Sequence, residues 1–132
     1  MFTDFTYDNL GVPKNLNSPF YTQDTKFNPD EFDVQDTGLE NTTDRVEDRG
    51  KFKVSTLRNI AVTPPYMHNG VFNTLREVVE FYNSRDTDSK WGKPEIEQNV
   101  NREELGNLGL KDDEIDAIVA FMKTLSDGYR SP

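Results

Sequence analysis

Few residues of this chain carry side chains that bind metals or act as nucleophiles, so few kinds of metal site or catalytic site are available to it. The 132 residues include one histidine, His68, and no cysteine. Disulfides, thiolate metal sites, cysteine nucleophiles and histidine-rich metal sites are therefore excluded. The candidates that remain are the phenol of Tyr82, the thioether of Met67, backbone carbonyls and carboxylates.

Tyr82 lies on the best-defined predicted helix. Thr74-Leu75-Arg76-Glu77 matches a capping box, in which the threonine hydroxyl and the glutamate carboxylate each accept a backbone amide, so a helix is expected to start at Thr74. The following apolar residues have i, i+3, i+4, i+7 spacing: Leu75, Val78, Val79 and Tyr82. The pattern predicts that Tyr82 points inward, where a buried phenol needs a polar partner.

Thr63-Pro64-Pro65 offers a second kind of ligand, the backbone carbonyl. Each proline restricts the residue before it, which predicts an extended backbone ahead of the turn at Met67 and His68. Such a backbone presents carbonyl oxygens without competing amides, and hard cations such as Ca²⁺ take carbonyl ligands. The alternative interpretation is an ordinary proline-rich turn.

Composition narrows the class of partner. The chain has 15 Lys and Arg against 24 Asp and Glu, a net charge of −9. This charge argues against nucleic acid or anionic lipid and favours a basic protein or a metal ion. No apolar run is long enough to span a membrane. Only 33% of the residues are hydrophobic, so we expect a partner chain or a large apolar cofactor to complete the core.

Two regions follow one another in a single partial domain. Residues 1–50 are rich in turn signals and are predicted to form an extended wrapping segment anchored by aromatic rings, whereas residues 51–132 are predicted to be helical. The anchoring rings would be Phe2, Phe5, Tyr7, Phe20, Tyr21, Phe27 and Phe32. A second helix is predicted from about Asp112 to Leu125, and residues 102–105 are compatible with one more helical turn. The apolar stripe of this second helix consists of Ile115, Ile118, Val119, Met122 and Leu125.

Several motifs, in order, resemble the C-terminal half of the bacterial di-haem cytochrome c peroxidase and MauG-like family. They are Phe2-Thr3-Asp4 with Asn9-Leu10-Gly11-Val12-Pro13, the segment from Gly50 to Asn59, the segment from Thr63 to Gly70, and Leu108-Gly109-Leu110 before the last helix. The resemblance implies a mainly α-helical, cytochrome c-like haem domain with long wrapping loops, incomplete in this chain.

The same resemblance implies what lies outside the chain. In the family, a Cys-x-x-Cys-His motif attaches haem c just before the segment that resembles Phe2-Thr3-Asp4. That motif and the N-terminal haem domain would belong to a longer polypeptide or to a companion chain. The implied activity is peroxide-linked electron transfer in the periplasm, with a redox partner protein.

Tyr82 falls where MauG-like members carry a tyrosine ligand of the C-terminal haem and the peroxidases carry a methionine. Met67 is the rival axial ligand, since a thioether also binds haem iron. An ordinary core tyrosine and a packing methionine are the alternatives. The resemblance further implies that Thr63 and Pro65 give carbonyls to an interdomain calcium.

Lys53 and Arg58 lie where the family approaches its haem, so they are candidates to pair with propionates, although a solvated basic patch is the alternative. His68 is expected to form hydrogen bonds near the haem edge or the calcium turn, or else to be a plain surface histidine. The absence of cysteine keeps a second hypothesis open, a haem-free structural or interaction subunit built on the same scaffold.

Overall fold

Short helices and one small sheet are joined by long loops. The computed structural model describes residues 2–22, 24, 26–27 and 35–128. These residues form the α-helices α1 (Pro19–Thr22), α2 (Glu40–Thr43), α3 (Leu75–Ser84) and α4 (Asp112–Thr124). Strands β1 (Tyr7–Asp8) and β2 (Phe52–Lys53) pair antiparallel, with Tyr7 opposite Lys53. Three 3₁₀ turns cover Val46–Asp48, Ile60–Val62 and Ser89–Trp91.

The capping box predicted for α3 is confirmed. The Thr74 hydroxyl accepts the Glu77 amide at 3.2 Å, and the Glu77 carboxylate accepts the Thr74 amide at 2.8 Å. Two amides of the first turn thus gain partners that the helix itself cannot supply. This local signal fixes where α3 begins and therefore which residues of α3 face the core.

The core is a cluster of apolar side chains between α3, α4 and the loops that cover them. Phe81 is its only completely buried large side chain among the described residues, although it lies outside the predicted stripe of α3. Its ring packs against Phe72 and Trp91, with centroids 5.0 and 5.5 Å away, and the indole of Trp91 donates to Ser84 Oγ at 2.9 Å. The 3₁₀ turn that ends at Trp91 therefore covers a second face of α3, beyond the predicted stripe.

Helix α4 confirms the predicted bounds closely but only part of the predicted stripe. Ile115 and Met122 are buried and Val119 packs against the same core, whereas Ile118 is 37% exposed. The acidic first turn and Lys123 in the last turn lie where the helix dipole favours each charge. Residues 102–105 form no helical turn, since bends cover residues 103–106, so the prediction of one more helical turn was wrong.

The N-terminal segment is not anchored as predicted. Phe2, Phe5 and Tyr7 are 49%, 62% and 45% exposed. Instead, the buried Asn9 side chain donates to the carbonyls of Ile96 and Gln98 at 3.1 and 2.7 Å. Phe27 is exposed as well, nothing is described of the side chains of Phe20 and Tyr21, and Phe32 lies outside the described residues. Among the described residues, the buried polar contacts of Asn9 hold this segment, and one ring contact adds to them, between Phe2 and Phe121 with centroids 6.2 Å apart.

The predicted fold class is met only in part. α3 and α4 are helical as expected, whereas α1 and α2 are four residues each and loops make up much of the described chain. The wrapping segment predicted for residues 1–50 contains positions 28–34, which lie outside the described residues. The division at residue 50 stays a prediction.

Candidate functional site

Tyr82 occupies the third-last position of α3 and is half-buried against the core. Burial and, to a smaller extent, the negative charge of the nearby Asp8 carboxylate raise the pKa of its phenol to about 12. The hydroxyl has no hydrogen-bond partner among the described residues. The sequence predicted both the inward direction and the need for a partner, and the described chain meets the first without the second.

An unpartnered phenol held in partly apolar surroundings is a ready ligand for a hard, highly charged metal ion. The phenol carries its proton near neutral pH because its pKa is about 12, so a metal ion would have to displace that proton to gain an anionic oxygen. Asp8, on β1, is held by the Asn101 side chain, which donates to Asp8 Oδ2 at 2.7 Å. Asp8 lies close enough to Tyr82 to raise the pKa of the phenol, which places β1 near Tyr82.

Met67 lies in the turn between two paired residues, Tyr66 and Phe72. Its φ of 70° is in the left-handed region, which is uncommon for a residue with a side chain. The side chain is half-buried and packs against the core cluster. This packing is the ordinary use of methionine that the sequence left open.

The His68 imidazole stacks on the Phe52 ring, with centroids 3.6 Å apart and planes 3° from parallel. Although His68 is exposed overall, loss of water around the ring lowers the pKa of His68, and Asp36 opposes this shift. No hydrogen bond involves the imidazole in the part of the chain that is described. The hydrogen-bonding role expected for His68 is thus unfilled among these residues.

The two candidate cations differ in their surroundings. Lys53, on β2, is exposed and has no ion-pair partner among the described residues. Arg58 already pairs with Asp127, with Nη2 2.8 Å from Oδ1, and Asn59 also donates to this carboxylate at 3.0 Å. Lys53 is therefore the freer of the two for an anionic ligand.

Thr63 and Pro65 are both exposed, and neither backbone carbonyl accepts a hydrogen bond from any described residue. The Thr63 hydroxyl donates to the Ile60 carbonyl at 3.2 Å, so this hydroxyl is not hydrogen-bonded to the Thr63 carbonyl. Two free carbonyl oxygens on one short loop have the donor chemistry that calcium uses.

The sequence analysis missed the most buried charge of the described chain, Arg85, one residue past α3. Its side chain is 3% exposed and pairs with Asp86, with Nη2 2.7 Å from Oδ2. Arg85 also donates to the Leu10 carbonyl at 2.7 Å. The available signal for a buried ion pair was the sequence Arg-Asp just after a helix. Such a pair is usually a solvated helix end, and only its contacts with distant segments show that it is buried.

Asp86 is expected to make the fold sensitive to acid. Hydrogen bonds from Arg85, helped by Arg102, hold the pKa of Asp86 below its usual value of 3.8. The unfolded chain therefore binds this proton more readily than the folded chain. The contribution of Asp86 to stability is present above the unfolded-state pKa and is lost as the pH falls through the lower folded-state pKa.

Melting temperatures measured from about pH 6 down to about pH 2 should test this dependence. Asp86→Asn should lower the melting temperature at neutral pH and flatten its decline in acid. Glu97→Gln is the matched control, since Glu97 is exposed and has no ion pair among the described residues. An Asp86→Asn variant with the same acid decline as the control would contradict the assignment.

The described residues contain no group of three or more His, Asp or Glu side chains arranged to hold a metal ion. Within the same residues, no helix has the length and apolar character needed to cross a bilayer.

Comparisons with known proteins show similarity to redox proteins of which this chain spans only a part. A search against models of known protein families finds no match. MauG of Paracoccus denitrificans is 38% identical over 99% of this chain and 36% of its own length. Cytochrome-c peroxidase IdrP2 of Pseudomonas sp. strain SCT is 43% identical over 60% of this chain and 18% of its own length.

A solved structure, the di-haem peroxidase BthA from Burkholderia thailandensis, matches with a TM-score of 0.69 and 29% identity. The match covers 92% of this chain and 33% of that one. The fold and the sequence thus match one part of c-type, di-haem redox proteins. The chain belongs to the MauG-like and di-haem cytochrome c peroxidase family, and it spans about a third or less of the length of these relatives.

Proposed function

We propose that this chain forms part of a di-haem c-type peroxidase or MauG-like redox protein, in which it supplies Tyr82 as the distal axial ligand of the C-terminal haem. The observation that carries the proposal is the Tyr82 hydroxyl, half-buried on α3 without a hydrogen-bond partner among the described residues. No buried side-chain oxygen or nitrogen of the described residues lacks a partner, so the unpartnered Tyr82 hydroxyl is accessible from outside the described chain, as an axial ligand has to be.

The residues present fit a haem that is attached from outside this chain. When bound, haem iron supplies electron transfer and peroxide chemistry. The chain has no cysteine for thioether bonds, and its single histidine stacks on Phe52. Tyr82 would hold the iron from one side, because an anionic phenolate oxygen stabilises the ferric state.

Other side chains would orient the cofactor. Lys53 has a free ammonium that can pair with a propionate, and Arg58 can add a second charge from its exposed pair with Asp127. The Phe52 ring and the His68 imidazole stacked on it would exclude water from the haem edge. Met67 keeps its packing role unless Tyr82 is displaced.

The acidic balance of the chain, −9 overall, favours a basic redox partner in the periplasm, where a c-type peroxidase meets its electron donor. Complementary charge would speed the encounter and make it sensitive to salt. Peroxide-linked electron transfer with such a partner is the activity that we assign to the whole protein.

An optical spectrum of the purified full-length protein or complex tests the proposed function. A Soret band that shifts when Tyr82 is replaced by phenylalanine is the expected result. A preparation without a Soret band would favour the alternative, a haem-free structural or interaction subunit. The absence of cysteine from the chain is what favours that alternative.

Calcium is expected to bind only when the other domain is present. Thr63 and Pro65 offer two free carbonyls, whereas Ca²⁺ takes about six to eight oxygen ligands. Calorimetric titration should detect stoichiometric binding by the full-length protein and none by residues 1–132 alone. Tight binding by this chain alone would show that the calcium site lies elsewhere.

A further inference from the structure

We infer that Arg85 is a positioning residue for Tyr82, because its buried guanidinium ties together the two segments that flank the phenol. This inference rests on the proposed role of Tyr82 as an axial ligand. Arg85 is the residue that caps α3, and its amide donates to the Phe81 carbonyl at 2.9 Å. It therefore extends from the same helical turn that carries Tyr82.

The guanidinium uses its planar fork in three directions. Nη1 donates to the Leu10 carbonyl and Nη2 to the Asn101 carbonyl, each at 2.7 Å. Nε and Nη2 donate to the two oxygens of Asp86, at 3.0 and 2.7 Å. A side chain that is 3% exposed and satisfied in this way holds its partners at fixed separations.

The loop between α3 and α4 reaches the Tyr82 backbone through Gly106. The Gly106 amide donates to the Tyr82 carbonyl at 2.6 Å, and the Asp86 amide donates to the Gly106 carbonyl at 2.9 Å. Gly106 has a φ of +103°, and a Cβ at this position would run into the Asp86 carboxylate and the Arg85 guanidinium. The loop can approach Tyr82 so closely because this residue has no side chain.

The N-terminal segment lies beside Tyr82, because Leu10 packs against the same core cluster and the Asp8 carboxylate acts on the phenol electrostatically. Arg85 holds Leu10 on one side of this segment, and the Asn101 side chain holds Asp8. Asn101 also donates its backbone amide to the Asn9 carbonyl at 2.9 Å. One guanidinium thus sets the separation between the strand that carries Asp8 and the loop that contacts the Tyr82 backbone.

The hydrogen bonds of Arg85 go to segments that touch Tyr82, so its loss should be felt at the phenol as well as in stability. Lysine keeps the charge but cannot form a planar fork to two carbonyls and a carboxylate. In Arg85→Lys the α3 end should move, and the phenol should occupy more than one position relative to the iron.

The test uses the full-length, haem-loaded protein and compares four variants by electron paramagnetic resonance, reduction potential and thermal melting. They are Arg85→Lys, Asp86→Asn, Tyr82→Phe and the control Arg76→Lys. Arg76 lies on the same helix, bonded to Glu80 and Asp112, each at 2.8 Å, with 41% of its side chain exposed.

We expect Arg85→Lys to give two ferric species in place of one and a shifted potential, and Asp86→Asn to give a smaller change in the same direction. Arg76→Lys should lower the melting temperature at most and leave the ferric spectrum unchanged. If Arg85→Lys does not assemble with haem, the Asp86→Asn variant tests the inference instead. This substitution removes the charge of the carboxylate that Arg85 binds and leaves Arg85 in place.

An unchanged ferric spectrum and potential in Arg85→Lys, or in Asp86→Asn where that variant decides, would overturn the inference. Arg85 would then be a purely structural residue, even if the protein melts earlier. The Tyr82→Phe variant separates this failure from a failure of the proposed function. An unaltered spectrum in Tyr82→Phe refutes the ligand role itself, whereas a changed one leaves that role standing whatever Arg85 does.

Discussion

Replacing Tyr82 by methionine is expected to raise the reduction potential of the C-terminal haem in the full-length, haem-loaded protein. An anionic phenolate oxygen stabilises ferric iron, whereas a soft thioether favours ferrous iron. The expected shift is at least roughly 0.1 V, a modest part of the about 0.8 V range that axial ligands span. Spectroelectrochemical titration of wild type and variant measures it directly.

Met67→Leu is the matched control for this prediction. Met67 is half-buried in the core cluster, and leucine has nearly the same volume, so the potential and the ferric spectrum should stay nearly unchanged. If instead Met67→Leu shifted the potential and Tyr82→Phe did not, the axial ligand would be the methionine. Tyr82 would then return to the status of a core residue without a described hydrogen-bond partner.

Phe81→Ala is expected to destabilise the domain by about 3–5 kcal/mol, the usual range for removing a large aromatic side chain from a core. Phe81 is completely buried and its ring packs against Phe72 and Trp91. The cavity would lie one residue before Tyr82, so loss of haem affinity should accompany the loss of stability. Chemical denaturation of the haem-loaded protein, followed at the Soret band, reports both effects.

Phe121→Ala provides the comparison, because Phe121 lies on α4 with 50% of its surface exposed, and its one described ring contact is with the exposed Phe2. A substitution at such a position should change the unfolding free energy by no more than about 0.5 kcal/mol. Equal effects of the two substitutions would show that Phe81 is not the centre of the core or that Phe121 is covered in the full-length protein. Proteolysis rates of the two variants would then distinguish these cases.

The helices were predictable because their signals are local. The capping box at Thr74 and Glu77 uses groups three residues apart, and the acidic first turn of α4 is likewise contained within one stretch of sequence. The inward direction of Tyr82 followed from the same periodicity. The exclusion of cysteine chemistry needed no structure at all.

Burial of individual residues was less predictable. Ile118 matches the apolar stripe of α4 yet is 37% exposed, and Phe81 lies off the stripe of α3 yet is completely buried. The reason is that α3 is covered on more than one face, by α4 and by the loop that carries Trp91. Periodicity reports one apolar face of a helix and not how many neighbours the helix has.

The amino-acid sequence by itself determined the family, the starts of α3 and α4, the ligand types available and the inward direction of Tyr82. Only the tertiary structure showed that the rings of Phe2 and Phe5 are exposed, and that Asn9 and Arg85 hold the N-terminal segment through buried hydrogen bonds. The hydrogen bond of Arg85 to Leu10 joins residues 75 positions apart. A buried polar contact of this kind depends on which distant carbonyls the folded chain brings within reach, and no local pattern encodes that choice.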